Sequence, residues 1–227
     1  VRVGERVEPV VAARAYGGVA ADERRARRRA ALLDAALDLL AEGGAAAVTK
    51  RAVCARAKLN DRYFYELFGD RDALLVALVE EHTALGIAAV VTAARAAGPD
   101  THVQVRAAAD AAIGFMLADP RRPALLLNAH STEALQAARL STQHAIAAAM
   151  SAVARELAVE QVADPSDVDL AAYAVVSGTL ELVAAWLRGE LPATRGHLTD
   201  LVARLLLITD SSSVLHGAGA LASRLDR

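Results

Sequence analysis

The chain is predicted to be all-α, and three observations predict it. Hydrophobic residues make up 55% of it, and much of that is alanine, the strongest helix former. Only 4% is aromatic and β-branched runs are scarce, so the material for an all-β fold is missing. Apolar residues recur at i, i+3, i+4 and i+7 over long stretches, and Pro120, Pro123, Pro165 and Pro192 lie at or near the breaks. At 227 residues there is length for a small module and a larger helical body.

Residues 1–21 mix Gly, Pro, Arg and short apolar pieces without a period, and the expectation is a flexible arm. From Asp22 the pattern changes. Arg24, Arg25, Arg27, Arg28 and Arg29 precede the stripe Leu33, Ala36, Leu37, Leu40, which predicts a helix ending at Gly43-Gly44. Positive charge at a helix start opposes the macrodipole, and a phosphate would supply the missing partner.

Thr49 to Phe68, TKRAVCARAKLNDRYFYELF, reads as a helix-turn-helix. The hydroxyl of Thr49 and the side chain of Asn60, eleven residues on, are both natural N-caps, so two short helices follow each other closely. Val53, Leu59, Phe64 and Phe68 form the apolar frame, and Ala57, Lys58 and Leu59 remain for the turn. A second helix of this kind would carry Asp61, Arg62, Tyr63 and Tyr65 outward, a form that fits a major groove.

Asp70 caps the next helix, whose Leu74, Leu75, Leu78 and Val79 are apolar and which runs on to Ala97, where Gly98-Pro99 ends it. Further helices are expected at about Thr101–Ala118, Arg122–His130, Thr132–Glu160, Ser166–Arg188 and Thr194–Ile208. The stretch 170–187, LAAYAVVSGTLELVAAWL, is nearly apolar enough for a membrane span, but Glu181 within it and missing basic flanks favour a buried interface. Residues 211–227 should form a loosely ordered tail.

The formal charge of −2 is unevenly distributed. Residues 24–62 hold ten Lys/Arg against four Asp/Glu, a local +6, and the only two lysines, Lys50 and Lys58, fall in the helix-turn-helix. A basic module on an acidic body suits phosphate binding by that module alone. Cys54 is the sole cysteine, so no intrachain disulfide can form and a cytoplasmic protein is expected; nothing at the N-terminus reads as a secretion signal.

Over residues 24–79 the chain resembles the TetR (tetracycline repressor) family of dimeric transcription regulators. The resemblance rests on the amphipathic first helix, Gly43-Gly44, Thr49, Val53, Ala57-x-Leu59, Phe64-Tyr65-x-x-Phe68 and x-x-Arg71-x-x-Leu74. Lys58 and Arg62 stand where the family often has Gly, and Leu67 where it often has His. The resemblance implies a helix-turn-helix domain over residues 22–69 and a helical ligand-binding and dimerisation domain over 70–210. It also implies that Thr49, Asn60, Tyr65 and Arg71 hold the phosphate backbone. Arg62 and Tyr63 would face base edges, with Lys50, Arg51, Lys58 and Asp61 as further DNA partners. Helices 170–187 and 201–208 would pair with their copies across a two-fold axis.

Enzyme chemistry is not expected. The Gly-x-Ser-x-Gly and Gly-x4-Gly-Lys motifs are missing, the six histidines show no close spacing, and no carboxylates form an evident catalytic pair; neither a cofactor nor a metal is expected. The family's body usually encloses a small-molecule pocket. Phe115, Met116, Asn128 and His130 are candidates to line it, together with His144, Tyr173 and Trp186, because they combine apolar bulk with an occasional polar tip. The expected function is a homodimeric regulator, a repressor, that binds an inverted-repeat operator in double-stranded DNA and is released by a small-molecule effector. The competing readings are a related DNA-binding protein without an inducer and, from another class, an all-α enzyme. A closed, filled body would favour the former over a ligand-responsive repressor.

Overall fold

Among the described residues, six helices start where a side chain accepts an N–H of the first turn. The computed structural model describes residues 13–157 and 165–208, and among them are nine helices and no strand. The first, α1 (Ala13–Ala47), begins nine residues before Asp22, so the expected arm is helical over its last part. Residues 1–12 and the tail 209–227 lie outside the described residues.

The α1 backbone departs from helical angles at Gly43 and Gly44, where the sequence places its end. Gly44 has φ 67° and ψ −170°, a region open almost only to glycine, and an added Cβ there would sit 3.0 Å from Asn128 Oδ1. This bend turns the chain into α2 (Lys50–Ala57), capped by Thr49, whose hydroxyl accepts the Ala52 N–H at 3.2 Å. Lys58 closes α2 in the left-handed region at φ 54°, ψ 40°, the conformation that the short turn demands. Asn60 then caps α3 (Asp61–Leu67) by accepting the Arg62 N–H at 2.9 Å.

Asp70 caps α4 (Arg71–Ala96) through the Ala73 N–H at 2.8 Å, and Asp100 caps α5 (Thr101–Ala118) through that of Val103 at 3.1 Å. The next helix, α6 (Pro123–Leu127), is shorter than the expected Arg122–His130. Asn128 ends it by donating its side-chain amide to the Ala124 carbonyl at 2.9 Å, and the chain turns before Thr132 accepts the Leu135 N–H at 3.2 Å. Three long or medium helices complete the body: α7 (Glu133–Leu157), α8 (Pro165–Leu187) and α9 (Arg195–Ile208).

One buried cluster joins α1, α2, α3 and the start of α4, with Phe64, Phe68, Val53, Leu74, Leu75 and Leu78 at its centre. Leu135 of α7 is buried in the same cluster, so the N-terminal module and the body share a core. A second cluster, around Ile113, Val183 and Leu198, joins α5, α8 and α9. Ala147, Ala172 and Val176 form a third, between α7 and α8.

Gly44→Ala should lower stability by about 1–3 kcal/mol, because the alanine must hold a backbone conformation it resists. Urea unfolding of both proteins measures this; an unchanged midpoint would show that the bend relaxes freely.

Candidate nucleic-acid interface and internal cavity

The outer face of the N-terminal module is built from α2, α3 and the stretch of α1 around Arg24 and Arg25. Arg62 on α3 is 80% exposed at its side chain and pairs with Glu66 one turn on at 2.7 Å. Tyr65 is 60% exposed, and its hydroxyl accepts a hydrogen bond from Lys50 Nζ at 3.2 Å. Lys50 also meets Asp61 at 2.9 Å; the two raise the lysine to about 12, while Lys50 lowers the Asp61 carboxyl. This Lys50–Asp61–Tyr65 set braces α2 against α3 on the exposed side. Thr49, Arg51, Lys58 and Asn60 are exposed around it, with Arg24 and Arg25 on α1.

Two residues sit differently from the expectation. Tyr63 is half-buried, with the Arg28 guanidinium 4.4 Å from its ring centre, so its ring fastens α3 to α1 rather than standing clear. Arg71 turns inward: its Nε donates to the Val48 carbonyl at 2.8 Å and its Nη2 to that of Ala45 at 2.6 Å. These carbonyls belong to the bend after Gly44, so the guanidinium holds the α1–α2 turn against α4 instead of lying free for a phosphate.

The acids of α1 are taken up by arginines of α2 and of the body. Asp38 is shared by Arg56 of α2 at 3.3 Å and Arg121 at 2.6 Å, and Arg56 also pairs with Glu42. Arg121, in the turn before α6, reaches Asp34 at 2.9 Å and Asp119 at 2.8 Å as well. The Arg121 guanidinium holds the Asp119 carboxyl down at about 2 and, with Arg56, keeps Asp38 below its ordinary value. A chain of charges thus runs from α2 through α1 to the body.

The body encloses a cavity of about 510 Å³, partly open to solvent, between α4, α5, α6, α7, α8 and α9. Its walls are mostly apolar, with Phe115 and Met116 among them. The other five candidates read from the sequence do not line it. Trp186 packs in the α5–α8–α9 cluster and donates Nε1 to the Ala193 carbonyl at 2.7 Å. Tyr173 stacks with the exposed His144, ring centres 5.0 Å apart. Asn128 ends α6, and His130 is exposed in the turn after it. Polar groups that the sequence reading passed over do reach the walls: His82, Gln104, Arg139 and four threonines. Arg139 and Thr142 stand three apart on α7, so one helical face carries both, a signal present in the sequence but indistinguishable there from a solvated face.

Residues 32–78 match the family described as bacterial regulatory proteins, tetR family. No curated protein matches the chain by sequence. Solved structures share the fold across most of its length. A TetR-like transcriptional regulator from Rhodococcus sp. RHA1 is 22% identical, covering 79% of this chain and 93% of its own, with a TM-score of 0.58. The fatty acid degradation regulator FadR from Bacillus halodurans is 16% identical over 79% of this chain and 94% of its own, with a TM-score of 0.62. The transcriptional regulator FadR from Bacillus subtilis, solved with stearoyl-CoA, is 17% identical over 78% and 96%, with a TM-score of 0.61.

The Arg121 cluster predicts a pH signature. Carboxyls whose folded value is depressed stabilise the fold at neutral pH and lose that contribution as pH falls through the ordinary carboxylate value near about 4 toward about 2. Arg121→Gln should therefore be less stable than the native protein at pH 7, and the gap should close on acidification. Urea midpoints at a series of pH values measure it; a gap that stays constant would mean that the ion pairs contribute nothing.

Proposed function

We propose that this TetR-family transcriptional regulator acts as a homodimeric repressor that sets two α3 helices against an inverted-repeat operator and leaves it when a small molecule fills the cavity. The observation that carries the reading is α4. Leu74, Leu75 and Leu78 at its start are buried with α1, α2 and α3, and Val79 to Ala94 on the same helix line the cavity. One rigid element therefore touches both the DNA-binding module and the ligand space. A ligand shifts the equilibrium only by favouring one conformation, and moving it from 1:99 to 99:1 takes about 5.5 kcal/mol of differential affinity.

A hollow body with a few polar wall groups favours this reading over a regulator without an inducer. Two-fold pairing is supported by α8: Ser166–Leu187 has a mean hydropathy of 1.6 over an 18-residue window, of which only 17% is buried within one chain. Leu170, 68% exposed, is part of the apolar surface that a second copy would cover. In this reading Arg62 reads base edges after exchanging Glu66 for a guanine. Thr49, Asn60, Tyr65, the half-buried Lys50 and the exposed bases Arg51 and Lys58 set affinity and salt dependence. Asp61 orients Lys50, while Tyr63 and Arg71 support the surface from behind. The protein works in the cytoplasm, on double-stranded DNA.

Selection of bound fragments from a random DNA pool should return an inverted repeat whose half-sites lie about 34 Å apart, one helical turn or a multiple of it. Arg62→Ala should cost about 1–3 kcal/mol and relax preference at one position per half-site, while Tyr65→Ala should weaken all sequences alike. Selected DNA without two-fold symmetry, or a monomer by sedimentation at micromolar concentration, would overturn the dimeric reading.

A further inference from the structure

The cavity is mostly apolar, with a few polar side chains on its walls. Arg139 and Thr142 of α7 reach it together with Thr83 of α4 and Thr179 of α8. The Thr83 and Thr142 hydroxyls are 3.0 Å apart and hydrogen-bonded to each other, whereas the buried Thr179 hydroxyl has no hydrogen-bond partner. Arg139 is 18% exposed at its side chain, and among the described residues its charge is met by Glu181 alone, at 3.5 Å. Glu181 is itself 3.2 Å from Arg188. A five-donor guanidinium withdrawn from water is thus left with half of one carboxylate, and the same cavity holds an unused hydroxyl on α8.

Beyond Thr83, α4 offers the cavity only Gly86, Ile87, Val90, Val91 and Ala94. From Val79 to Ala94 the lined length of α4 is about 22 Å. Phe115 is the one Phe, Tyr or Trp on the walls, so a flat aromatic ligand would find little to stack on.

We infer that the cavity takes a single-chain amphiphile: an unbranched aliphatic tail along α4 and α5, and a carboxylate head held by Arg139 with Thr142 and Thr179. The carboxylate completes the donors that Glu181 leaves unused, and Glu181 keeps Arg188. The tail removes apolar wall from water. This inference rests on the reading of the cavity as the effector site.

The test is calorimetric titration of the full-length protein with straight-chain carboxylates from octanoate to stearate, each below its micelle concentration, and with the matching methyl esters. Affinity should rise with tail length and then level off, and each acid should bind about tenfold or more tighter than its ester. Arg139→Gln should erase the acid-over-ester preference and keep the length dependence; Arg139→Lys should retain part of the preference. Thr179→Val should weaken the acids several-fold and the esters little. Ala108→Phe, which fills the tail region, should shorten the best-bound chain. Absence of carboxylate binding, equal affinity for acid and ester, or a preference that survives in Arg139→Gln would overturn the inference. If Arg139→Gln does not fold, the ester comparison on the native protein and Thr179→Val decide. Operator affinity in the same samples separates the two claims. Tight carboxylate binding with unchanged operator affinity defeats ligand release and leaves the ligand class standing, whereas operator binding without carboxylate binding defeats the ligand class alone.

Discussion

The start of α4 is held from two directions, and the rest of the molecule is arranged around that grip. Leu74, Leu75 and Leu78 are fully buried against α1, α2 and α3, each contributing roughly 1.5–3 kcal/mol by the area it removes from water. On the other side of the same turns, Arg71 bonds the carbonyls of Ala45 and Val48, just past the Gly43-Gly44 bend. Apolar packing fixes where α4 lies, and the guanidinium fixes the bend that aims α2 and α3. Because α4 then continues into the body, the orientation of the DNA-binding face and the shape of the cavity are set by one helix.

A second connection runs through charge. Arg121 gathers Asp34, Asp38 and Asp119, and Asp38 passes the connection to Arg56 on α2. Half-exposed ion pairs are individually weak, but a shared network restricts geometry more than it stabilises. It also occupies Asp34 and Asp38 of α1 with arginines, while Arg24, Arg25, Arg51 and Lys58 stay exposed although the chain as a whole carries −2. Asn128 adds a steric contact at the same joint, its side-chain oxygen standing where a Cβ on residue 44 would go.

The alanine content has a consequence in the body. Ala94, Ala108, Ala109, Ala112 and Ala149 line the cavity, where larger residues would have filled it. Small side chains favour helix and leave space between helices, so one compositional bias yields both the all-α fold and a hollow interior. The few polar groups that enter this space then stand out energetically, since low-dielectric walls magnify an imperfectly met charge such as Arg139.

What the sequence by itself determined is local. Thr49, Asn60 and Asp70 mark helix starts because capping acts within three or four residues, and α5 spans the predicted Thr101–Ala118. Lys58 adopts the left-handed conformation for the same reason: the turn length demands it. Tertiary structure decided what pairs with what. Nothing near Arg71 in the chain shows that it serves carbonyls 23 and 26 residues away, and Arg121 meets Asp34 and Asp38 across 87 and 83 residues. Candidates for the cavity chosen by bulk and polar tip failed where a nearer partner had claimed the tip, as the Ala193 carbonyl claims the Trp186 indole. Helical periodicity says that a residue has a face, but which neighbour that face meets depends on how helices pack, and packing is a property of residues far apart in the chain.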